Sequence, residues 1–398
     1  MQAWEQRKLG DVAVFSKGNG YTKNDLTEKG TPIVFYGRLY TRYEIVINNV
    51  DTFVEKKDKS VISEGNEVVV PASGETAADI SRASVIGTEG FILGGDLNII
   101  KPKKKINSVF LALTISNGTQ QKEMSKRAQG KSVVHLHNSD LKQVNLLYPS
   151  YGEQQQIMMF FLQLDNTIAL HQRKLNALKL MKQGFLQQMF PVNGEKVPKV
   201  RFIDFEEHWK QRKLGELATS FEYGLNASSK KYDGKNKYIR ITDIDESSHM
   251  FSQDNITSPD TNLVHADNYL LEVGDILFAR TGASVGKSYY YNGKDGSVYY
   301  AGFLIRAKIK QEYDAKFIFQ NTLTTNYKNF IQITSQRSGQ PGINAREYAG
   351  FYLSIPKLEE QRKIGLFFTN LEDTIILYQN KLDMLNILKK AYLKNMFI

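Results

Sequence analysis

No cysteine occurs among the 398 residues, which excludes a disulfide framework, a cysteine-ligated zinc finger, an iron–sulfur centre and a cysteine nucleophile together. Proline is scarce, at nine residues, and no two prolines are adjacent. Neither an Asn-Pro-Pro-Phe nor an Asp-Pro-Pro-Tyr methyltransferase motif therefore exists. No run approaches the roughly 18 continuous apolar residues of a membrane span, and the opening stretch has no apolar signal-peptide core. The chain is read as soluble and cytoplasmic, with no membrane partner. Acidic residues are the minority charge, 42 against 52 Lys and Arg, for a formal charge of +10. The rest is an ordinary globular composition, 41% apolar and 11% aromatic, long enough for two or three domains.

What is present is a repeat. Trp4-Glu-Gln-Arg-Lys-Leu-Gly-Asp-Val-Ala13 recurs as Trp209-Lys-Gln-Arg-Lys-Leu-Gly-Glu-Leu-Ala218, and these segments hold the only two tryptophans. Residues 153–190 align without gaps on 360–397, with 17 identities in 38 positions. Between these ends the halves share scattered points such as Gly65/Gly274, Gly74/Gly282 and Gly95/Gly302. The frame repeats while the filling differs, and a split at residue 208 leaves +5 on each half. Two equally basic modules suit a common polyanion, although such a surplus is also frequent on proteins that never bind one.

The repeated block reads as helix. Ile157, Phe161, Leu164, Ile168, His171, Leu175, Leu178, Met181, Phe185 and Met189 step by three or four, and Ile364, Phe368, Leu371, Ile375, Tyr378, Leu382, Leu385, Leu388, Tyr392 and Met396 reproduce the stripe. Pro149 and Pro356 lie upstream and Pro191 downstream, as helix punctuation requires. Each block predicts a rod of about 57 Å. Two matched rods pack most economically on one another, with Ile157, Phe161, Leu164, Ile168, Leu175, Leu178, Ile364, Phe368, Leu371, Ile375, Leu382 and Leu385 as the seam. The plainer alternative lays each stripe on its own domain. Segments 45–50, 67–70, 276–279 and 297–308 read as strands, and 109–116 and 315–325 as short helices.

This frame resembles the specificity subunits of type I restriction-modification systems. The residues that carry the resemblance are Trp4 with Lys8-Leu9-Gly10, Trp209 with Lys213-Leu214-Gly215, Pro149 with Glu153-Gln154 and Ile157, and Pro356 with Glu360-Gln361 and Ile364. It spans the whole chain, except that the first half lacks a counterpart of residues 191–208. It implies an α+β fold: a target-recognition domain at 1–150, a spacer helix at 151–190, a linker at 191–208, a second recognition domain at 209–356 and a second helix at 357–398. The two mixed α/β domains would be pseudo-symmetric and held apart by antiparallel helices forming a coiled coil. Each domain would read one half of a bipartite double-stranded DNA target. The helices would set the spacing and dock two methyltransferase subunits, with restriction (motor-nuclease) subunits beyond. S-adenosylmethionine, ATP and Mg would sit on those partners, and this chain would carry no cofactor, metal or catalytic residue.

Candidate DNA contacts follow from residue type. Gly282-Ala-Ser-Val-Gly286-Lys287 has three residues between its glycines where a phosphate-binding Walker loop needs four. It reads instead as a small-residue turn in which Arg280, Thr281, Ser284 and Lys287 meet a backbone. Its partner in the first half is Ser73-Gly74-Glu75-Thr76, where Glu75 could accept from a cytosine amine. Mixed aromatic and basic loops add Tyr21, Lys23, Arg38 and Tyr40, then Tyr223, Asn226, Lys230, Arg240 and Thr242. The turns carrying Lys131 and Arg337 with Gln340 end the two variable regions. His135 and His137 could form a metal site only in the first half, because Gly342 and Asn344 replace them in the second. A coiled-coil adaptor binding RNA or protein is the alternative function, and a nuclease built on Asp260 and Asp314-Ala-Lys316 a third.

Overall fold

The computed structural model describes residues 4–130, 133–192, 195–337 and 339–397, and the expected contact Lys131 lies outside them. The chain divides into two units, residues 1–173 with 380–398, and residues 174–379.

In the first unit, strand Glu5–Lys8 pairs antiparallel with Asn145–Tyr148, the last strand before the long helix. A five-stranded sheet runs Ala13–Lys17, Leu97–Pro102, Val68–Pro71, Ser84–Ile86, Val46–Ile47. Its middle strand is Val-Val-Val-Pro, buried throughout, as β-branched residues with both faces covered should be. Helix Ser108–Ser116 packs beside it and is buried over almost its whole length, which is why no amphipathic period marks it. Asn107 caps that helix, accepting from the amides of Val109 and Phe110 at 3.0 Å each.

The second unit repeats the opening clip, Lys210–Lys213 against Tyr352–Ile355. Its four-stranded sheet runs Ala218–Tyr223, Leu304–Ile309, Ile276–Ala279, Ser288–Tyr290. Three segments depart from the sequence expectation. The strand read over 297–308 is two, Val298–Tyr300 and Leu304–Ile309, broken at Ala301-Gly302-Phe303. The helix read over 315–325 stops at Asn321, and Thr324 caps a further helix, Thr325–Thr334. The strand read over 45–50 shrinks to Val46–Ile47.

The repeated blocks form helices Tyr151–Gln188 and Leu358–Met396. In the first unit the start of one meets the end of the other: Phe160 with Tyr392, Asp165 with Lys389 at 2.5 Å, Phe161 with Phe397. In the second unit Lys174 meets Tyr378, Lys182 meets Glu372 at 2.7 Å, and Phe185 meets Phe367. From Phe161–Phe397 to Asp165–Lys389, and from Lys174–Tyr378 to Phe185–Phe367, one index rises as the other falls, so the pairing is antiparallel in each unit.

Of the expected seam, Ile157, Phe161, Leu164, Leu175, Ile364, Phe368, Leu371 and Leu382 are buried, while Ile168, Leu178, Ile375 and Leu385 are half-buried. Ile157 and Phe161 belong to the core of the first unit, and Ile364 and Phe368 to a core of the second, so each helix begins inside its own domain. Met181 and Leu388 do not continue the stripe; both are exposed, and Lys182 and Lys389 take the inward positions. A straight helix turns once per 3.6 residues and drifts from a 3.5-residue pattern over this length.

The Glu-Gln pair that opens each helix is structural. Gln154 is fully buried; its Nε2 donates to the carbonyls of Lys105 (3.1 Å) and Pro149 (2.9 Å), and its Oε1 accepts from the Asn107 amide (2.9 Å). Gln361 repeats this toward Pro356 and the Asp314 amide. The preceding glutamates differ. Glu153 accepts from the Trp4 indole at 3.3 Å, whereas Glu360 takes both arms of Arg201, from the linker, at 2.7 and 2.8 Å. The buried Trp209 indole N–H has no partner among the described residues.

Candidate nucleic-acid interface

One feature of backbone geometry gathers loops at an end of each unit. In the second, a Cβ on Gly224 would lie 2.2 Å from the Ala301 carbonyl; in the first, a Cβ on Gly18 would lie 1.9 Å from the Gly94 carbonyl. Only glycine lets the edge strand pass the return loop this closely. Hydrogen bonds then tie the segments. Leu225 donates to Tyr300, Gly302 to Leu225 and Ala301 to Ile239; in the first unit Gly18 donates to Leu97, Asn19 to Leu93 and Gly94 to Val34.

In the second unit this brings together Tyr223, Asn226, Arg280, Thr281, Ser284 and Gln340. The Arg280 amide donates to the Phe303 carbonyl (3.0 Å), and its own carbonyl accepts from Ile343 (2.9 Å). Its guanidinium carbon lies 5.1 Å from the Tyr223 ring and 5.9 Å from that of Phe303. Thr281 bridges to Gly342, the Gly282 amide donates to Pro341, and the Gln340 amide lies against Gly282. Gly282 and Gly286 both take positive φ, 73° and 87°, so this loop needs its glycines for conformation as well as for room.

The other expected contacts here are spoken for or stand aside. Arg240 is locked to Asp243 by two hydrogen bonds of 2.8 Å and reaches Ser229 with a third. Arg337 pairs with Glu347 and caps helix Thr325–Thr334 at the Thr334 carbonyl. Lys287 lies 3.8 Å from Glu246. Lys230 and Thr242 are exposed.

In the first unit Tyr21 is a correction to the sequence reading: it is buried, its hydroxyl held by Ser60 (2.5 Å) and the Lys57 amide (2.7 Å). Ser73 and Gly74 are also turned in, on a short strand paired with Val134–His135, with Ile80 against Gly74. Arg38 is tied to Glu44, Asp51 and the Asn49 carbonyl, and Tyr40 packs half-buried against Tyr36. Lys23, Glu75 and Thr76 are exposed, Thr76 as the cap of a one-turn helix. Lys17, Asn19, His135 and His137 join them at the surface. The histidine rings are parallel, 6.3 Å apart.

Sequence reasoning missed Phe303, 56% exposed beside Arg280. Its signal was the Gly95/Gly302 match, which marks a return loop. It also missed the buried charge beneath the sheet. Arg306, 2% exposed, pairs with Glu222 and Asp275, donates to Leu270 and Asn268 carbonyls, and stacks on Tyr300. Burial pushes the Asp275 carboxyl up to about 6.

A second apolar stripe also surfaces on the long helices. Met159, Leu170, Leu180 and Met181 are exposed, and so are their counterparts one repeat on, Leu366, Leu377, Ile387 and Leu388. No helix is long and apolar enough to cross a membrane among the described residues.

The profile of the type I restriction modification DNA specificity domain matches residues 1–180 and again 206–386. The type I restriction enzyme MjaVIII specificity subunit of Methanocaldococcus jannaschii is 18% identical over 397 residues, covering 97% of this chain and 90% of the relative. The putative MjaX specificity subunit of the same organism is 23% identical over 207 residues, 51% of this chain and 48% of the relative. Among solved structures, the type I restriction-modification S subunit from M. genitalium superposes with a TM-score of 0.65 at 15% identity, covering 99% of this chain and 96% of that one. A chain from work on the assembly and conformational transition of the type I R-M system gives 0.54 at 14%, covering 99% and 97%.

Proposed function

The chain belongs to the type I restriction modification DNA specificity domain family, and from that membership we propose that it is a non-catalytic DNA-specificity subunit whose two units each read one half of a bipartite duplex. The observation that carries this is the doubled match, 1–180 and 206–386. One chain holds two readers of one kind. Their loop ends share a backbone and differ in side chains, Lys17, Asn19, Glu75 and His135 against Tyr223, Asn226, Arg280 and Phe303. Unlike side chains on a like scaffold suit two unlike half-sites, because phosphate contacts position a protein while base-edge contacts specify. The family membership of both halves favours this over an adaptor for RNA or protein.

Methyl transfer and cleavage then belong to partners. Two methyltransferase subunits would bring S-adenosylmethionine, and restriction subunits ATP and Mg, all in the cytoplasm. The repeated exposed stripe supports docking of two equivalent partners, since apolar patches of this kind on a soluble protein mark contact surfaces. The test is to produce the chain with its methyltransferase subunit and map methylated bases. A bipartite motif is expected, and exchanging residues 14–149 for those of a relative should alter one half only. Both halves changing, or methyl label incorporated by the chain alone, would overturn the reading.

A further inference from the structure

We propose that Arg280 is the base-reading residue of the second unit and that it reads a guanine through the major groove. The inference rests on the DNA-specificity reading and names what one site within it recognises.

Three observations together separate Arg280 from the other arginines expected to touch DNA, Arg38, Arg240 and Arg337. Its charge is unspent. The guanidinium groups of Arg38, Arg201, Arg240, Arg306 and Arg337 each meet a carboxylate, whereas among the described residues no carboxylate lies within 4.0 Å of Arg280. It is also held in place. The backbone is pinned on both sides, to Phe303 and Ile343, and the guanidinium lies against the Tyr223 and Phe303 rings. Stacking of this kind orients the planar fork and removes rotamer freedom before any ligand arrives. Its Nε is buried and has no hydrogen-bond partner among the described residues, so the terminal nitrogens are the donors left to a ligand. Finally, the loops around it are small. Gly282 follows it two residues on and Gly342 lies beside its carbonyl, so these flanking positions offer backbone where a bulkier residue would keep a base edge away.

A fixed, unpaired guanidinium fork with two terminal donors matches the O6 and N7 acceptors that guanine presents in the major groove. The exposed Phe303 ring beside it is placed to touch a neighbouring apolar group such as a thymine methyl. The first unit has no equivalent. Strands Val68–Pro71 and Ile276–Ala279 occupy the same place in their sheets, and the residue after the first is Ala72. The guanine reading therefore belongs to one half-site only.

The experiment uses the full chain assembled with its methyltransferase subunits and maps methylated motifs on a randomised DNA library for the wild type, Arg280→Ala and Arg280→Lys. Expected is one G·C position, in the half-site assigned to residues 209–356, that turns degenerate, with discrimination there falling about 5- to 150-fold. Arg280→Lys keeps the charge but not the fork and should relax the same position while retaining most of the affinity. If both variants keep the wild-type motif and Arg280→Ala merely binds more weakly, Arg280 holds a phosphate and the proposal fails. A wild-type second half-site with no G·C pair also defeats it. If the wild-type complex selects no bipartite motif at all, the specificity reading fails first, and the two failures are told apart by that control.

Discussion

A single buried amide governs how each long helix begins. Gln154 satisfies the buried Pro149 carbonyl at the helix start and, at the Lys105–Asn107 turn, a half-buried carbonyl and amide. Gln154→Leu is expected to destabilise the first unit by about 2–4 kcal/mol, since each orphaned buried group costs about 1–3. Unfolding followed through the nearby Trp4 should show the loss, while Trp209 reports an unchanged second unit. Asp275 makes a different prediction. Its carboxyl ordinarily titrates near 3.8 and is raised to about 6 by burial, against the pull of Arg306. The folded state therefore holds this proton over a pH range where the unfolded chain has lost it. Stability falls as pH rises from about 4 to about 6 and is level above, by at most about 3 kcal/mol. Asp275→Asn keeps an acceptor for the Glu272 amide, and the difference between the two stability-against-pH curves should contain this slope alone.

At the scale of elements, the helices were legible because a period of 3.6 residues leaves a mark on every turn, and a copy of that mark confirms it. The resolution of that mark has a limit. Between Leu178 and Phe185 the inward position is Lys182, not Met181, because a salt bridge to Glu372 lets a lysine stem lie in the seam. The partner bridge Lys389–Asp165 falls at the same offset of 207, so the repeat carried the information although hydropathy hid it. Lys182→Glu is expected to lower the stability of the second unit by about 1–2 kcal/mol, and adding Glu372→Lys to restore most of it; a thermal-shift double-mutant cycle measures both. Loops were another matter. Residue type pointed to Arg280 and Arg240 alike, but whether a guanidinium is free depends on what folds against it. Asp243 is three residues from Arg240, whereas the rings beside Arg280 come from a strand end and a return loop distant in the sequence. Tyr21 failed for the same reason: its hydroxyl partners, Ser60 and Lys57, arrive from another segment.

For the whole molecule the chain path matters most. The first helix leaves the first unit and ends with Phe190 in a core of the second, on Phe317 and Phe368. The second helix ends with Phe397 in the core of the first, against Phe110 and Phe161. Gly118 records how close that end lies, since a Cβ there would sit 1.4 Å from the Phe397 carbonyl. Phe397→Ala should cost the first unit about 3–5 kcal/mol, and hydrogen exchange should speed up around Phe110 while peptides near Phe317 keep their protection.

That closing residue imposes an order on synthesis. A ribosome makes the first domain early, yet the ring that fills its core is translated more than 220 residues after the last residue of the unit's opening segment, Arg173. At ~5–20 residues per second the gap is roughly 10–45 s. Through that time the pocket around Phe110 waits unfilled, whereas the second unit, residues 174–379, is complete before Phe397 is made. A stop codon placed just before Phe397 thus strips the earlier-made reader of its support and spares the later one.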